Sequence, residues 1–300
     1  MEKRHDRRSP WGENDQIGAM NYVTPEMLVK LFQSVKKGKV YDLGQVIQMG
    51  APRIEPFQPP YVMSMWTTAE KTRKLAREHM QAVNEAGVLL ERVEMTMHVG
   101  THIDALGHFT IADEMYNGYS AEESIGNWGL GRLGIEQSPP IITRAVILDL
   151  AAYKGVEHLE GGTVVTPADL EGAVKKQRVS IQPGDAVLLH TGWSKYFMTD
   201  NPKYVSSEPG LGEEGARWLT EQKVAAIGAD NMAVEVMPME DARKVFPVHQ
   251  HLLVEKGVYI IENLRLNDPL TAGVYEFLFI LLPVKYKGAT ASPVRPVAMI

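Results

Sequence analysis

The pattern of apolar and polar positions changes period repeatedly along the chain, and several of the changes carry a local start signal. Thr24-Pro25-Glu26 offers a capping hydroxyl, a proline suited to a first turn and an acid near the positive end of a helix dipole. It predicts a helix to about Lys36, stopped by Gly38. Thr166-Pro167-Ala168-Asp169 repeats that chemistry and predicts a helix to about Gln177. Thr68 to Ala86 is rich in helix formers before Gly87, Glu213 to Gln222 reads as a helix, and Pro247 to Lys256 as a short one closed by Gly257. Strands are predicted at Lys39 to Gln48, Val88 to Val99, Ala145 to Leu150, Asp185 to His190, Val224 to Ala229, Val258 to Glu262 and Tyr275 to Leu282. In Val88 to Val99 the residues Val93, Met95, Met97 and Val99 fall on one face, and Arg92, Glu94, Thr96 and His98 on the other. Gly50 to Pro60 holds four prolines and cannot be regular structure, so it reads as a binding loop. The stripe Leu75, Met80, Val83 reads as core or as an oligomer contact.

Helices and strands therefore mix without strict alternation, with no repeat period and no Gly/Ser linker. The expectation is one α/β domain over residues 1–300, a mixed sheet with flanking helices, and a charge-rich, flexible stretch at 1–10. Three hundred residues bury an ample core without staples. The net charge of −6 argues against a nucleic-acid partner, whose footprint is a basic balance with clustered Lys and Arg. The absence of cysteine removes disulfides, thiolate ligands and a cysteine nucleophile, so any metal must be held by His, Asp, Glu or an amide oxygen. No apolar stretch follows the basic first residues, and Phe277 to Val284 is too short to span a bilayer. A cytoplasmic protein with no membrane partner is expected.

Chemistry concentrates in HVGTHIDALGHF, where His98, His102 and His108 fall within eleven residues and Asp104 lies between the last two. A lone histidine is usually a satisfied structural residue, but three beside an acid at a Gly-Thr corner form a ligand constellation. In an extended segment His102 and Asp104 project to the same side, and Gly100 permits the turn that returns His98 to the same point. Two imidazoles and a carboxylate suit a first-row divalent ion with positions left open, and Thr96 and Thr101 are near enough to orient them. His108 is either a further ligand or a proton carrier. Elsewhere, Gly126 to Gly131 lacks the strand and helix that a phosphate loop needs, and no G-x-S-x-G elbow exists. His190 and Asp230-Asn231 read equally as structural residues or as substrate contacts. Arg53, Phe57 and Tyr61 in the proline-rich loop are candidates for a substrate pocket.

His98-x-Gly100-Thr101-His102-x-Asp104-x-x-x-His108 resembles the HxGTHxDxxxH signature of the metal-dependent hydrolases called the cyclase family, which includes bacterial kynurenine formamidase and isatin hydrolase. The resemblance extends to WGENDQIGAMN, to HQHLLVEKGVYIIENL and to the proline-rich C-terminus. It implies a swivelling β/β/α-type fold, a zinc or manganese site, hydrolysis of an amide, lactam or lactone bond, and a homodimer or homotetramer. Residue by residue it implies His98, His102 and Asp104 as metal ligands, His108 as general acid/base and Glu262 as the carboxylate near the metal. Where the formamidase branch has a second-metal histidine this chain has Gln250. One ion per subunit is therefore expected, with Gln250 as a further oxygen ligand and His249 beside it as a stand-in or a substrate contact. The competing readings are a metal-dependent isomerase, dehydratase or cyclase acting on a small carbonyl compound, and a non-catalytic small-ligand-binding protein.

Overall fold

The protein is seen here as a computed structural model that describes residues 8–300. The expected flexible stretch therefore lies largely outside the described residues. From Ser9 onward the chain is pinned, because the Ser9 amide donates to Asn117 Oδ1 at 2.8 Å.

In chain order the strands are β1 (Val40–Asp42), β2 (Val62–Thr67), β3 (Leu90–Glu94), β4 (His102–Asp104), β5 (Ile125–Gly126), β6 (Gly129–Leu130), β7 (Ile141–Asp149), β8 (Val164–Val165), β9 (Ala186–His190), β10 (Gly210–Leu211), β11 (Ala226–Ala229), β12 (Tyr259–Glu262), β13 (Glu276–Leu281), β14 (Ala291–Pro293) and β15 (Val297–Met299). The helices are α1 (Pro25–Ser34), α2 (Ala69–Met80), α3 (Ala121–Ser124), α4 (Leu150–Lys154), α5 (Pro167–Gln177), α6 (Asn201–Ser206), α7 (Glu213–Glu221), α8 (Pro247–His249) and α9 (Asn267–Thr271).

Nine strands form one mixed sheet in the order β1-β15-β13-β7-β9-β11-β12-β4-β14. Its centre, β7-β9-β11-β12, is parallel, and both flanks are antiparallel. Central residues such as Ile147, Leu188, Ile227 and Ile260 are fully buried, as their uninterrupted apolar runs require of a sheet covered on both faces. The mixed α/β architecture agrees with the sequence-based expectation. No helix among the described residues is long and apolar enough to cross a membrane.

The helix starts form as their chemistry predicts. Thr24 accepts from the Met27 amide, and Thr166 with Asp169 closes a reciprocal capping box. Several boundaries differ. The strand expected over 39–48 stops at Asp42, because side chains take over the ladder: the Gly44 amide donates to Asp42 Oδ1 and the Gln45 amide to Thr101 Oγ1. The helix expected to reach Ala86 ends at Met80, where Gln81 turns left-handed and the Ala82 amide returns to the Ala76 carbonyl. The strand expected over 88–99 ends at Glu94, and the short helix from Pro247 widens to a π-helix over Gln250–Lys256. The glycine-rich 126–131 segment contributes a small hairpin, β5-β6, and shows no phosphate-loop context.

Two segments far apart in sequence, around Gly18 and Gly257, meet backbone to backbone. The Ala19 amide donates to the Gly257 carbonyl, and a Cβ on Gly18 would lie 2.2 Å from that oxygen. Gly18 also has φ near +57°. Gly18→Ala should therefore combine overpacking with a left-handed penalty and cost about 3 kcal/mol. Gly38→Ala, with positive φ but open space around it, should cost only about 1 kcal/mol. Urea unfolding of the two variants measures the difference.

Candidate metal centre

The site is built on β4, a three-residue strand held between β12 and β14. Its alternation sends Ile103 into the core, while His102 and Asp104 share the opposite face. Register then adds a second carboxylate. Glu262 is the direct cross-strand partner of His102, so the two side chains stand side by side. Gly100, with φ near +57°, makes the turn that carries His98 back over this face.

His98 Nδ1 approaches Asp104 Oδ1 at 2.9 Å, and His102 Nε2 lies 3.1 Å from Glu262 Oε2 and 3.5 Å from Asp104 Oδ1. Yet His102 Nε2 and both Asp104 oxygens are buried with no aligned hydrogen-bond partner. Close approach without alignment is what groups show when they aim lone pairs at a common third centre. Orphaned buried acceptors otherwise carry a desolvation cost. The far ring nitrogens are tied down: His102 Nδ1 to the Gly100 carbonyl at 2.9 Å, and His98 Nε2 to Thr290 Oγ1 at 3.0 Å. A ligating imidazole needs that restraint. Thr290 orients the His98 ring, whereas Thr101 anchors loops and Thr96 accepts only the His98 amide.

Asp104 belongs to two overlapping donor groups. One joins it to His98 and His108, the other to His102 and Glu262, with the ligand atoms of each group within 4.8 Å of one another. The His108 ring sits over that of His98 at 4.1 Å between centroids. His249 brings a further nitrogen, with Nε2 3.3 Å from Glu262 Oε1 and 4.0 Å from Asp104 Oδ2. Its Nδ1 is held at 2.9 Å by Glu235, a fully buried carboxylate that also accepts the Val248 and His249 amides. Gln250 turns elsewhere, its side-chain amide donating to the Thr110 carbonyl at 3.0 Å.

Charge sets the protonation. Burial works to lower His102 and His249, but the carboxylates outweigh it. Glu262 and Asp104 push His102 up to about 9, and Glu235 and Glu262 push His249 up to about 10. Burial works to raise Asp104, yet His108, His98 and His102 hold its carboxyl far below the usual range. Glu262 is likewise lowered, its burial and Asp104 outweighed by His102 and His249. Burial takes His108 down to about 3 despite Asp104, helped by His98 and His249, so its ring is neutral at pH 7. The cluster favours positive charge at its centre. Its nitrogen and carboxylate donors suit a divalent cation.

The other candidates lie apart. Arg53 donates to the Gln58 carbonyl and pairs with Glu55 inside its own loop, and Phe57 is 84% exposed. Among the described residues neither makes a hydrogen bond, ion pair or ring contact with the cluster. His190 bonds to Asp149 Oδ1, and Asp230 accepts from Thr191 and Gly192, so both pin the ends of the parallel strands. Sequence reading missed Glu235 and an aromatic wall. Phe109 and Phe246 flank the His249 ring at 4.8 and 5.1 Å, and Phe246 has φ near +49°. Phe109 adjoins His108 in the chain, but no spacing announces Glu235 or Phe246.

Comparison with known proteins places this arrangement. A family model described as "Putative cyclase" matches residues 41–236. A crystal structure described as a novel cyclase superposes with a TM-score of 0.86 at 30% identity, covering 98% of this chain and 99% of its own. Isatin hydrolase A from Labrenzia aggregata, bound to benzyl benzoate, has a TM-score of 0.65 at 22% identity, over 91% of this chain and 98% of its own, and shares the fold. Cyclase-like protein 3 of Oryza sativa subsp. japonica is 26% identical over 206 residues, which span 68% of this chain and only 63% of the rice protein. The signature, the sheet and the family match agree: this chain is a member of the cyclase family.

Proposed function

We propose that this protein is a hydrolase that uses one divalent ion per subunit, zinc or manganese, to open an amide, lactam or lactone bond in a small substrate. The observation that carries the reading is that His102 Nε2 and both Asp104 oxygens are buried without aligned hydrogen bonds where two donor groups, one with His98 and His108 and one with His102 and Glu262, overlap at Asp104. His98, His102 and Asp104 would hold the ion, with Glu262 and His249 beside it and Gln250 outside the set. The chemistry a divalent ion supplies when bound is Lewis acidity, which lowers the pKa of water from about 15.7 to about 7.

The chain's own residues account for the rest. His108 is neutral at pH 7, which leaves one ring nitrogen open to accept, and Asp104 beside it supports the positive charge the ring gains as it passes a proton from attacking water to the leaving nitrogen or oxygen. Glu262 and Asp104 reduce the net charge of the loaded site and orient water by accepting its hydrogens. Phe109 and Phe246 form an apolar flank suited to a flat or cyclic acyl group. Isatin, the substrate named for a neighbour of the same fold, is itself a cyclic amide. Arg53 is tied within its own loop and Phe57 is exposed, so His249, which stands beside Glu262, is the better contact.

A panel of small amides, lactams and lactones, assayed with and without chelator in oxygen-18 water, tests the reading. Hydrolysis must place solvent oxygen in the product; turnover without label means isomerisation, dehydration or cyclisation, and no turnover means a binding protein. His108→Ala should lower turnover by about 10²- to 10⁴-fold with ion content unchanged. Loss of the ion would make His108 a ligand. In the metal-free protein His102 and His249 hold protons up to about 9 and about 10. An incoming cation must displace them, so binding should release protons at pH 7 and tighten as pH rises through that range, as calorimetry in buffers of different ionisation enthalpy will show. Glu235→Gln removes the charge behind His249 and should weaken ion binding about tenfold in the same titration.

A further inference from the structure

The residue that follows Glu262 has a backbone conformation that most side chains avoid. Asn263 is buried, with φ near +56°, where β12 ends beside the metal centre. Asparagine tolerates the left-handed region better than most residues that carry a Cβ, but it stays there only when its surroundings hold it. Three segments do so here. The Asn263 amide donates to the Asn231 carbonyl at 2.8 Å, which anchors the turn to the chain beyond β11. Thr101 Oγ1 donates to the Asn263 carbonyl at 2.6 Å, which joins the turn to the corner that carries His102. From α6, the Tyr204 hydroxyl donates to Asn263 Oδ1 at 2.7 Å.

The third tie is the one that neither sheet pairing nor the ligand corner supplies. Tyr204 is fully buried in an apolar cluster of its own, with Trp193, Phe197 and Met232. The Phe197 ring stands edge-on to it at 5.6 Å, and Trp193 Nε1 donates to the Tyr204 carbonyl at 3.2 Å. Packing therefore fixes the direction in which the hydroxyl points. Burial, with Glu208, Asp230 and Glu262 around it, keeps that hydroxyl protonated well above its ordinary range, so it remains a donor. A buried amide oxygen that loses its donor carries a desolvation cost and draws the turn toward another arrangement. Glu262, one residue away, would then shift against its cross-strand partner His102. We propose that Tyr204 is a positioning residue for the metal centre: through Asn263 it fixes the strand end that carries Glu262 and the corner that carries His102, and so sets how tightly the ion is held. The inference rests on the reading of this cluster as a metal site. A second buried tyrosine supplies the contrast, since the Tyr116 hydroxyl donates to Asp15 Oδ2 at 2.6 Å and pins the segment before α1 instead.

Titration of the full chain with Co²⁺, followed by visible absorption, tests the proposal, because the bands report affinity and ligand geometry together. Tyr204→Phe should bind Co²⁺ about tenfold more weakly than wild type, with shifted bands. Asn263→Gly, which keeps the left-handed backbone and removes Oδ1, should lose a similar factor. The double variant should be no weaker than either single one, since both remove the same bond. Tyr116→Phe separates positioning from stability: it should lower the urea midpoint of the metal-free chain, as Tyr204→Phe does, yet keep wild-type affinity and bands. Wild-type affinity and bands in Tyr204→Phe, losses that multiply in the double variant, or an equal loss in Tyr116→Phe would each overturn the proposal. A wild type that takes up no Co²⁺ would overturn the metal reading itself, and this inference with it.

Discussion

Asp104 is a carboxylate taken almost wholly out of water, and neither of its oxygens has a hydrogen-bond donor aligned to it. A buried charge in that position is strongly destabilising unless opposite charge compensates it. What compensates it is the positive charge of His102 beside it, with that of His249 beyond, while His98 Nδ1 lies 2.9 Å from one of its oxygens. A second carboxylate, Glu262, is in contact with His102 and His249. Each of these groups is tolerable only because the others are present. A divalent cation at their common focus would satisfy all of the unpaired atoms together.

The sheet exists in a form that makes this arrangement possible. A parallel centre, buried on both faces, places Glu262 at the end of β12. Three-residue β4 then pairs antiparallel with it, so that one register position sets His102 against Glu262. A slip of one residue would send Ile103 to the site and His102 into the core. Behind this first set stand residues that fix ring orientation through ordinary hydrogen bonds: Thr290 for His98, Gly100 for His102 and Glu235 for His249. The site is therefore rigid on every side that the sheet supplies.

Elements with local causes were legible in the chain. The Thr-Pro starts of α1 and α5 work through atoms three residues apart, and the buried strands β9, β11 and β12, with β7 from Ala145 to Leu148, show as apolar runs because both their faces are covered. Ends were less legible. β1 stops where side chains of Asp42 and Thr101 replace a strand partner, and α2 stops at a left-handed Gln81 that no proline or glycine marks. The alternation in 88–99 resembled a half-buried strand, but its apolar face is covered only toward its end: Val93 is 43% exposed while Val99 is buried.

The sequence by itself determined the class of fold, the His-x-Gly-Thr-His-x-Asp corner and hence the donor types available, because those follow from period and from spacing within one turn of chain. The tertiary structure alone decided that Glu262 faces His102, that His249 and not Gln250 turns inward, and that Glu235 stands behind it. It alone also showed that Arg53 and Phe57 stay in their own loop. Such pairings depend on strand register and on which face of a helix turns inward, quantities set by packing between segments that no sequence spacing links.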